Sequence, residues 1–144
     1  MIYKHIHIGN FIKMRMQECN IDMNRACNFF KCHEDDIVKQ FNSEDLRCND
    51  LLKWSKLLEY DFFRIYTQHL ILYSPPRSIN NLAVVQNDLS QMPAFRKSIY
   101  TKEIIEFILE KLKKGDMSKQ EIMDKYNIPK TTLYKWISKY DKND

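Results

Sequence analysis

The chain has 144 residues, 44% of them hydrophobic, with only two glycines and four prolines; that suits a packed core and excludes a disordered or β-rich chain. No apolar run approaches the roughly 20 residues of a membrane span, and the opening MIYKHIHIGNF lacks a signal-peptide core, so a cytoplasmic chain with no membrane partner is expected. The formal charge of +4 is unevenly placed: residues 1–73 carry ten Lys/Arg and ten Asp/Glu, residues 74–144 thirteen against nine, which points an anionic partner at the C-terminal half.

At the N-terminus, His5 and His7 alternate with Ile6 and Ile8, which places both imidazoles on one face of an extended segment. They read as a metal pair or as exposed polar positions of a short strand or arm. The four cysteines, Cys19, Cys27, Cys32 and Cys48, form no C-x-x-C pair, and the step from Cys27 to Cys32 is not a usual zinc-finger spacing. Buried free thiols are expected, with no structural metal and no cofactor.

Five short helices are predicted next. Residues 9–19 bring Phe11, Ile12, Met16 and Cys19 near one face. Asp22 can cap a helix over 23–30 with Ala26, Cys27 and Phe30 inward. After a turn at Lys31-Cys32, residues 33–41 carry Ile37, Val38 and Phe41. Asn49 can cap 50–58, where Leu51, Trp54, Leu57 and Leu58 repeat at helical spacing. Asp61 opens a last helix through Phe62, Ile65, Tyr66, His69, Leu70 and Leu72. The segment from Trp54 to Tyr73 is the most apolar and aromatic of the chain, mostly core, with surplus surface suited to a partner chain.

This order over residues 9–72 resembles the phage-repressor-like helix-turn-helix domain, a five-helix bundle; Ala26-Cys27 stand where the two helices of such a unit touch. Two departures matter. Lys31 stands near where glycine is usual, and the groove helix opens with Glu34-Asp35-Asp36, which phosphates repel. Those carboxylates read as charges favoured by the helix dipole, or as acceptors from cytosine amino groups. The competing reading is a bundle that packs or dimerises without touching DNA.

Ser74-Pro75-Pro76 ends the bundle, because consecutive prolines cannot continue a helix. Residues 77–100 read as a linker with one short turn near 82–89. Arg96, Lys97 and Tyr100, just before the last helices, either add phosphate contacts or solvate a loop.

The end of the chain, SKQEIMDKYNIPKTTLYKWISKYDKND, is the most specific stretch. Ser118 and Glu121 have the spacing of a capping box, and Ile122, Met123 and Tyr126 give the helix between them and the turn a buried face. Asn127 falls at the turn, Ile128 packs inward and Pro129 starts the next helix. There Leu133, Trp136, Ile137 and Tyr140 form a narrow apolar stripe, with Thr131, Lys135, Ser138 and Lys142 opposite, Lys139 near them, and Thr132 and Tyr134 on the flanks. No acid precedes Asp141, which suits a phosphate-lined groove. An ordinary solvated basic helix is the alternative. With residues 101–114 as a supporting helix, this segment resembles the helix-turn-helix of bacterial insertion-sequence transposases, in which the turn is followed by residues like Thr132-Leu133-Tyr134-Lys135-Trp136.

An all-α chain follows: an N-terminal five-helix bundle over 1–73, a linker over 74–100, and a small three-helix helix-turn-helix module over 101–144. No Gly-rich phosphate loop, H-E-x-x-H or nucleophile motif appears, and no run of strands exists to carry a transposase's acidic triad, so no enzyme is expected. The resemblance implies a double-stranded DNA partner, with the helix near 129–140 in the major groove. Thr131, Thr132, Tyr134 and Lys135 would contact base edges or nearby phosphates, with Ser138 a DNA-binding candidate on the same outward face; Lys130, Lys139 and Lys142 would neutralise phosphates; Ser118 and Lys119 would approach the backbone. The chain would be a transposase-associated recognition component or a transcriptional regulator, partnered by a separate transposase or a second copy. The alternative is an adaptor whose bundle binds a partner while the C-terminal module is structural.

Overall fold

A computed structural model describes residues 1–75, 93 and 98–140. Its described residues form eight α-helices and no strand, and they fall into two compact units, residues 2–67 and residues 68–144 with Met1.

In the first unit the helices are α1 (Ile8–Glu18), α2 (Met23–Phe30), α3 (Glu34–Phe41) and α4 (Cys48–Leu57), followed by the start of α5 (Phe63–Tyr73). The arm ahead of α1 is not a strand. His7 is the N-cap of α1, its Nδ1 accepting from the Asn10 amide at 3.2 Å, and a side chain spent on the cap leaves no alternating face. The first amides of α1 donate across the fold, Ile8 to the Glu44 carbonyl and Gly9 to that of Ser43. Gly9 is required there, because a Cβ would fall on the backbone oxygens of Gln40 and Phe41. That close approach lets α1 pack on α3.

Asp22 caps α2 as its spacing predicts, accepting from the Arg25 amide at 2.7 Å. Ala26 is wholly buried where α2 meets α3. The centre of the unit is Trp54, fully buried, with its indole N–H donated to Gln40 Oε1 at 2.6 Å and its ring 4.5 Å from Phe30 and 5.8 Å from Phe41. α4 begins earlier than the Asn49 cap predicts: Arg47 stands at the N-cap, and its guanidinium holds the Asp50 carboxylate at 2.9 Å. Glu59, with φ at +48°, breaks the apolar run between α4 and α5. Cys19, Cys27 and Cys32 are half-buried and Cys48 is exposed, all four as free thiols; the expected burial fails at Cys48 because it opens α4 at the surface.

The second unit takes over within α5. Gln68 is 1% exposed, and its amide bridges the approach to the next helix: Nε2 donates to the Ile99 carbonyl at 2.6 Å and Oε1 accepts from the Thr101 amide at 3.0 Å. A buried amide satisfied on both sides holds its partners in one register. Three helices follow, α6 (Lys102–Lys113), α7 (Lys119–Tyr126) and α8 (Lys130–Tyr140), with α6 and α7 both packed on α8. Ile104, Ile108, Ile122, Ile128 and Leu133 form their core. Gly115, at φ +73°, ends α6 in the left-handed conformation that glycine enters freely. No helix among the described residues is long and apolar enough to cross a membrane. The short turn expected near 82–89 lies outside the described residues.

Candidate nucleic-acid interface

The turn between α7 and α8 is built by local chemistry. Ser118 Oγ accepts from the Glu121 amide at 3.2 Å while the Glu121 carboxylate accepts from the Ser118 amide at 2.7 Å. This reciprocal cap satisfies two of the helix's free donors. Hydrogen bonds to the carboxylate from the Ser118 backbone N–H, the larger contribution, and from the Ser118 hydroxyl hold the Glu121 carboxyl below its ordinary pKa. At the other end Asn127 adopts φ +49° and ψ +39°, a conformation asparagine tolerates better than most residues. The chain then drops Ile128, 3% exposed, into the core. Pro129 stands one place outside α8, its carbonyl accepting from the Thr132 and Leu133 amides at 2.9 and 3.1 Å. Proline thus supplies the first carbonyl of the helix, and α8 itself starts at Lys130.

Leu133 and Trp136 face inward, with Ile137 and Tyr140 half-buried beside them. The Trp136 ring meets Tyr100 edge-on, with centroids 4.9 Å apart. Tyr100 therefore packs the module, and burial pushes its phenol pKa up against the opposing bond to Ser98. Its aromatic partner was not legible in the sequence, since the two rings are far apart in the chain. Gln68 was missed as well; its one signal was a lone amide inside the most apolar segment.

The outer surface holds most of the residues singled out from sequence. Ser118, Lys119, Lys130, Thr131, Tyr134, Lys135, Ser138 and Lys139 are exposed, and Thr132 is half-buried. Lys142, Arg96 and Lys97 lie outside the described residues. Three of these residues meet: the Tyr134 ring lies 5.1 Å from the ammonium of Lys119 and 5.7 Å from that of Lys130. The nearby acids of α7 are committed elsewhere, Glu121 to the cap and Asp124 to the Gln120 amide at 2.9 Å. From Lys130 to Tyr140 there is no carboxylate.

The turn between α2 and α3 has similar backbone geometry, with Lys31 at φ +54° and ψ +49°. Its second helix carries Glu34, Asp35 and Asp36 in the first turn. Asp36 accepts from the His33 amide at 3.3 Å and lies 3.7 Å from Lys39. Among the described residues no group of three or more His, Cys, Asp or Glu side chains is placed to hold a metal.

Residues 102–142 match the family model of the CENP-B N-terminal DNA-binding domain. This is a helix-turn-helix family related to the DNA-binding domains of Tc1/mariner and pogo transposases, in keeping with a transposase-type helix-turn-helix over this segment. The matched stretch covers α6, α7 and α8. It is a DNA-binding domain and not a catalytic one, which indicates duplex DNA as a partner of this module. No curated protein and no solved structure matches the chain.

Proposed function

We propose that the chain is a sequence-specific double-stranded DNA-binding protein that lays α8 in the major groove. The observation that carries this reading is the outer face of α8: exposed hydroxyls and lysines without a carboxylate, on a turn within a segment that matches a DNA-binding family. Thr131, Lys135 and Ser138, at the centre of that face, are the base-edge candidates. Lysine suits guanine O6 and N7, and hydroxyls accept several base patterns. Lys139 and Lys142 would neutralise phosphates, and Ser118 and Lys119 would approach the backbone from α7.

In this reading the protein is the non-catalytic recognition component of a mobile element, of insertion-sequence type, or a transcriptional regulator. The bundle over 1–73 would recruit a separate transposase or a second copy, with 74–100 as the linker. A second reading, the bundle as a protein-interaction adaptor, is favoured by the exposed apolar side chains Phe29, Val38 and Leu52 and by the acidic start of α3. Duplex titration against salt separates the two. Counterion release makes log K fall linearly with log salt, so the full chain should bind with a steep slope. A full chain that binds no duplex at low salt would leave the adaptor reading alone.

A further inference from the structure

We propose that Lys119, Lys130 and Tyr134 form a clamp for one DNA-strand phosphate, which sets register and reads no base. The proposal rests on the reading of α8 as the groove helix and assigns one of its flanks.

At about 100° per residue, Leu133 and Trp136 define the inward direction, and Thr131, Lys135 and Ser138 the outward one. Lys130 and Tyr134 fall together on one flank, with Thr132 and Lys139 on the other. Lys119, the first residue of α7, reaches the same ring, so the Lys130/Tyr134 flank is the one beside α7. An α-helix with its side chains, about 10–12 Å across, fills a major groove about 12 Å wide. Its outward centre then meets base edges and its flanks meet the phosphate walls.

The two ammonium groups share the Tyr134 ring, at 5.1 and 5.7 Å from its centroid, and neither is in an ion pair with a carboxylate among the described residues. A cation over a tyrosine ring is attracted by the ring quadrupole without losing its charge. The ring therefore gathers two positive charges around itself before any ligand arrives, which reduces the ordering cost of binding. The ligand such a pair fits is a single compact anion bridging two ammoniums, and on a duplex that is a backbone phosphate. The Tyr134 hydroxyl can donate to the same oxygen. A base edge, neutral and mixed in donors and acceptors, would leave two adjacent cations poorly matched.

The test uses the full chain and two probes: a mixed-sequence 30-base-pair duplex, and the duplex best enriched from a random pool. Wild type and the Lys119→Ala/Lys130→Ala double variant are titrated on both from 50 to 200 mM salt. Losing the one clamped phosphate should lower the salt slope by about 0.9, roughly a three- to fourfold relative change over that range, equally for both probes. Tyr134→Leu should weaken both probes by a common factor, and Tyr134→Phe, which keeps the ring, should retain more binding than Tyr134→Leu. An unchanged slope in the double variant overturns the clamp, as does a loss confined to the enriched duplex. Wild type that binds neither probe overturns the groove-helix reading itself.

Discussion

Two turns in this chain share a geometry and differ in charge. The α2–α3 pair and the α7–α8 pair each open with an eight-residue helix. Each turns through one left-handed residue, Lys31 at φ +54° or Asn127 at φ +49°, and buries a small or apolar contact behind the turn. Yet α3 presents Glu34, Asp35 and Asp36 in its first turn, whereas α8 presents Lys130, Thr131 and Thr132. Backbone sterics and apolar spacing are enough to make the turn. What a second helix can approach is decided by the few side chains on its outward face, because a phosphate backbone repels carboxylates as surely as it attracts ammoniums. Shape alone would nominate both turns for DNA; charge separates them.

The largest expected effect sets the two tryptophans against each other. Trp136→Ala removes a ring that is 8% exposed and stacked edge-on by Tyr100. Loss of a buried aromatic costs about 3–5 kcal/mol, comparable with the stability of so small a module. Helical signal and duplex binding should fall together by circular dichroism and titration. Trp54→Ala, in the first unit, should destabilise at least as much, since it also strands the Gln40 carbonyl oxygen that its indole satisfies, but duplex affinity should stay near wild type. Equal binding losses would show that affinity is not confined to the C-terminal module.

Lys135→Ala comes next. The side chain is exposed at the outward centre of α8, and alanine is a good helix former, so the fold should persist. Binding should weaken by about 1–3 kcal/mol if Lys135 contacts a base. The matching experiment adds charge where α3 lacks it: Glu34→Lys with Asp35→Lys should steepen the salt slope only if the first turn pair can also reach a duplex. An unchanged affinity for Lys135→Ala at low and moderate salt would remove α8 as the reader.

A smaller effect sits at the cap of α7. Ser118→Ala deletes the acceptor for the Glu121 amide, a loss typically worth about 0.5–2 kcal/mol. The cap also depends on pH. Glu121 is held below its ordinary pKa in the folded chain, so its contribution is present above the unfolded value and is lost as pH falls through the folded one. Melting curves across the acidic range should show wild type losing more of its advantage over Glu121→Gln at the low end. A gap between the two that does not narrow there would mean that the carboxylate bond is idle.

Much of this architecture was legible because local signals suffice for helices. Asp22, Ser118 and Asn127 each act through bonds or dihedrals within a few residues, so their roles follow from spacing alone. The apolar stripe of Leu133 and Trp136 works likewise. What spacing could not give were contacts made across the fold: Gln68 bridging Ile99 and Thr101, Tyr100 under Trp136, Gly9 against the backbone of α3. Arg47, not Asn49, stands at the N-cap of α4, with its guanidinium on Asp50, a contact that propensity does not weigh. The outward placement of the candidate DNA residues was readable from helical period, but the meeting of Lys119 with Tyr134 required α7 and α8 to be packed.

The smallest expected effect returns to the turns. Lys31 is exposed and sits in the left-handed region, where a residue with a Cβ pays about 1–2 kcal/mol. Glycine escapes that strain but loses about 0.5–1 kcal/mol more in backbone entropy than alanine would on folding. Lys31→Gly should therefore stabilise the chain by a few tenths to about 1 kcal/mol, a rise in melting temperature of a few degrees. The amide that Lys31 donates to the Cys27 carbonyl survives the change. Asn127→Gly makes the same exchange at the other turn, where asparagine already tolerates the conformation. Its gain should be smaller or negative. If Asn127→Gly stabilised the chain more than Lys31→Gly, the two turns would not carry the same strain, and their likeness would end at the dihedral angles.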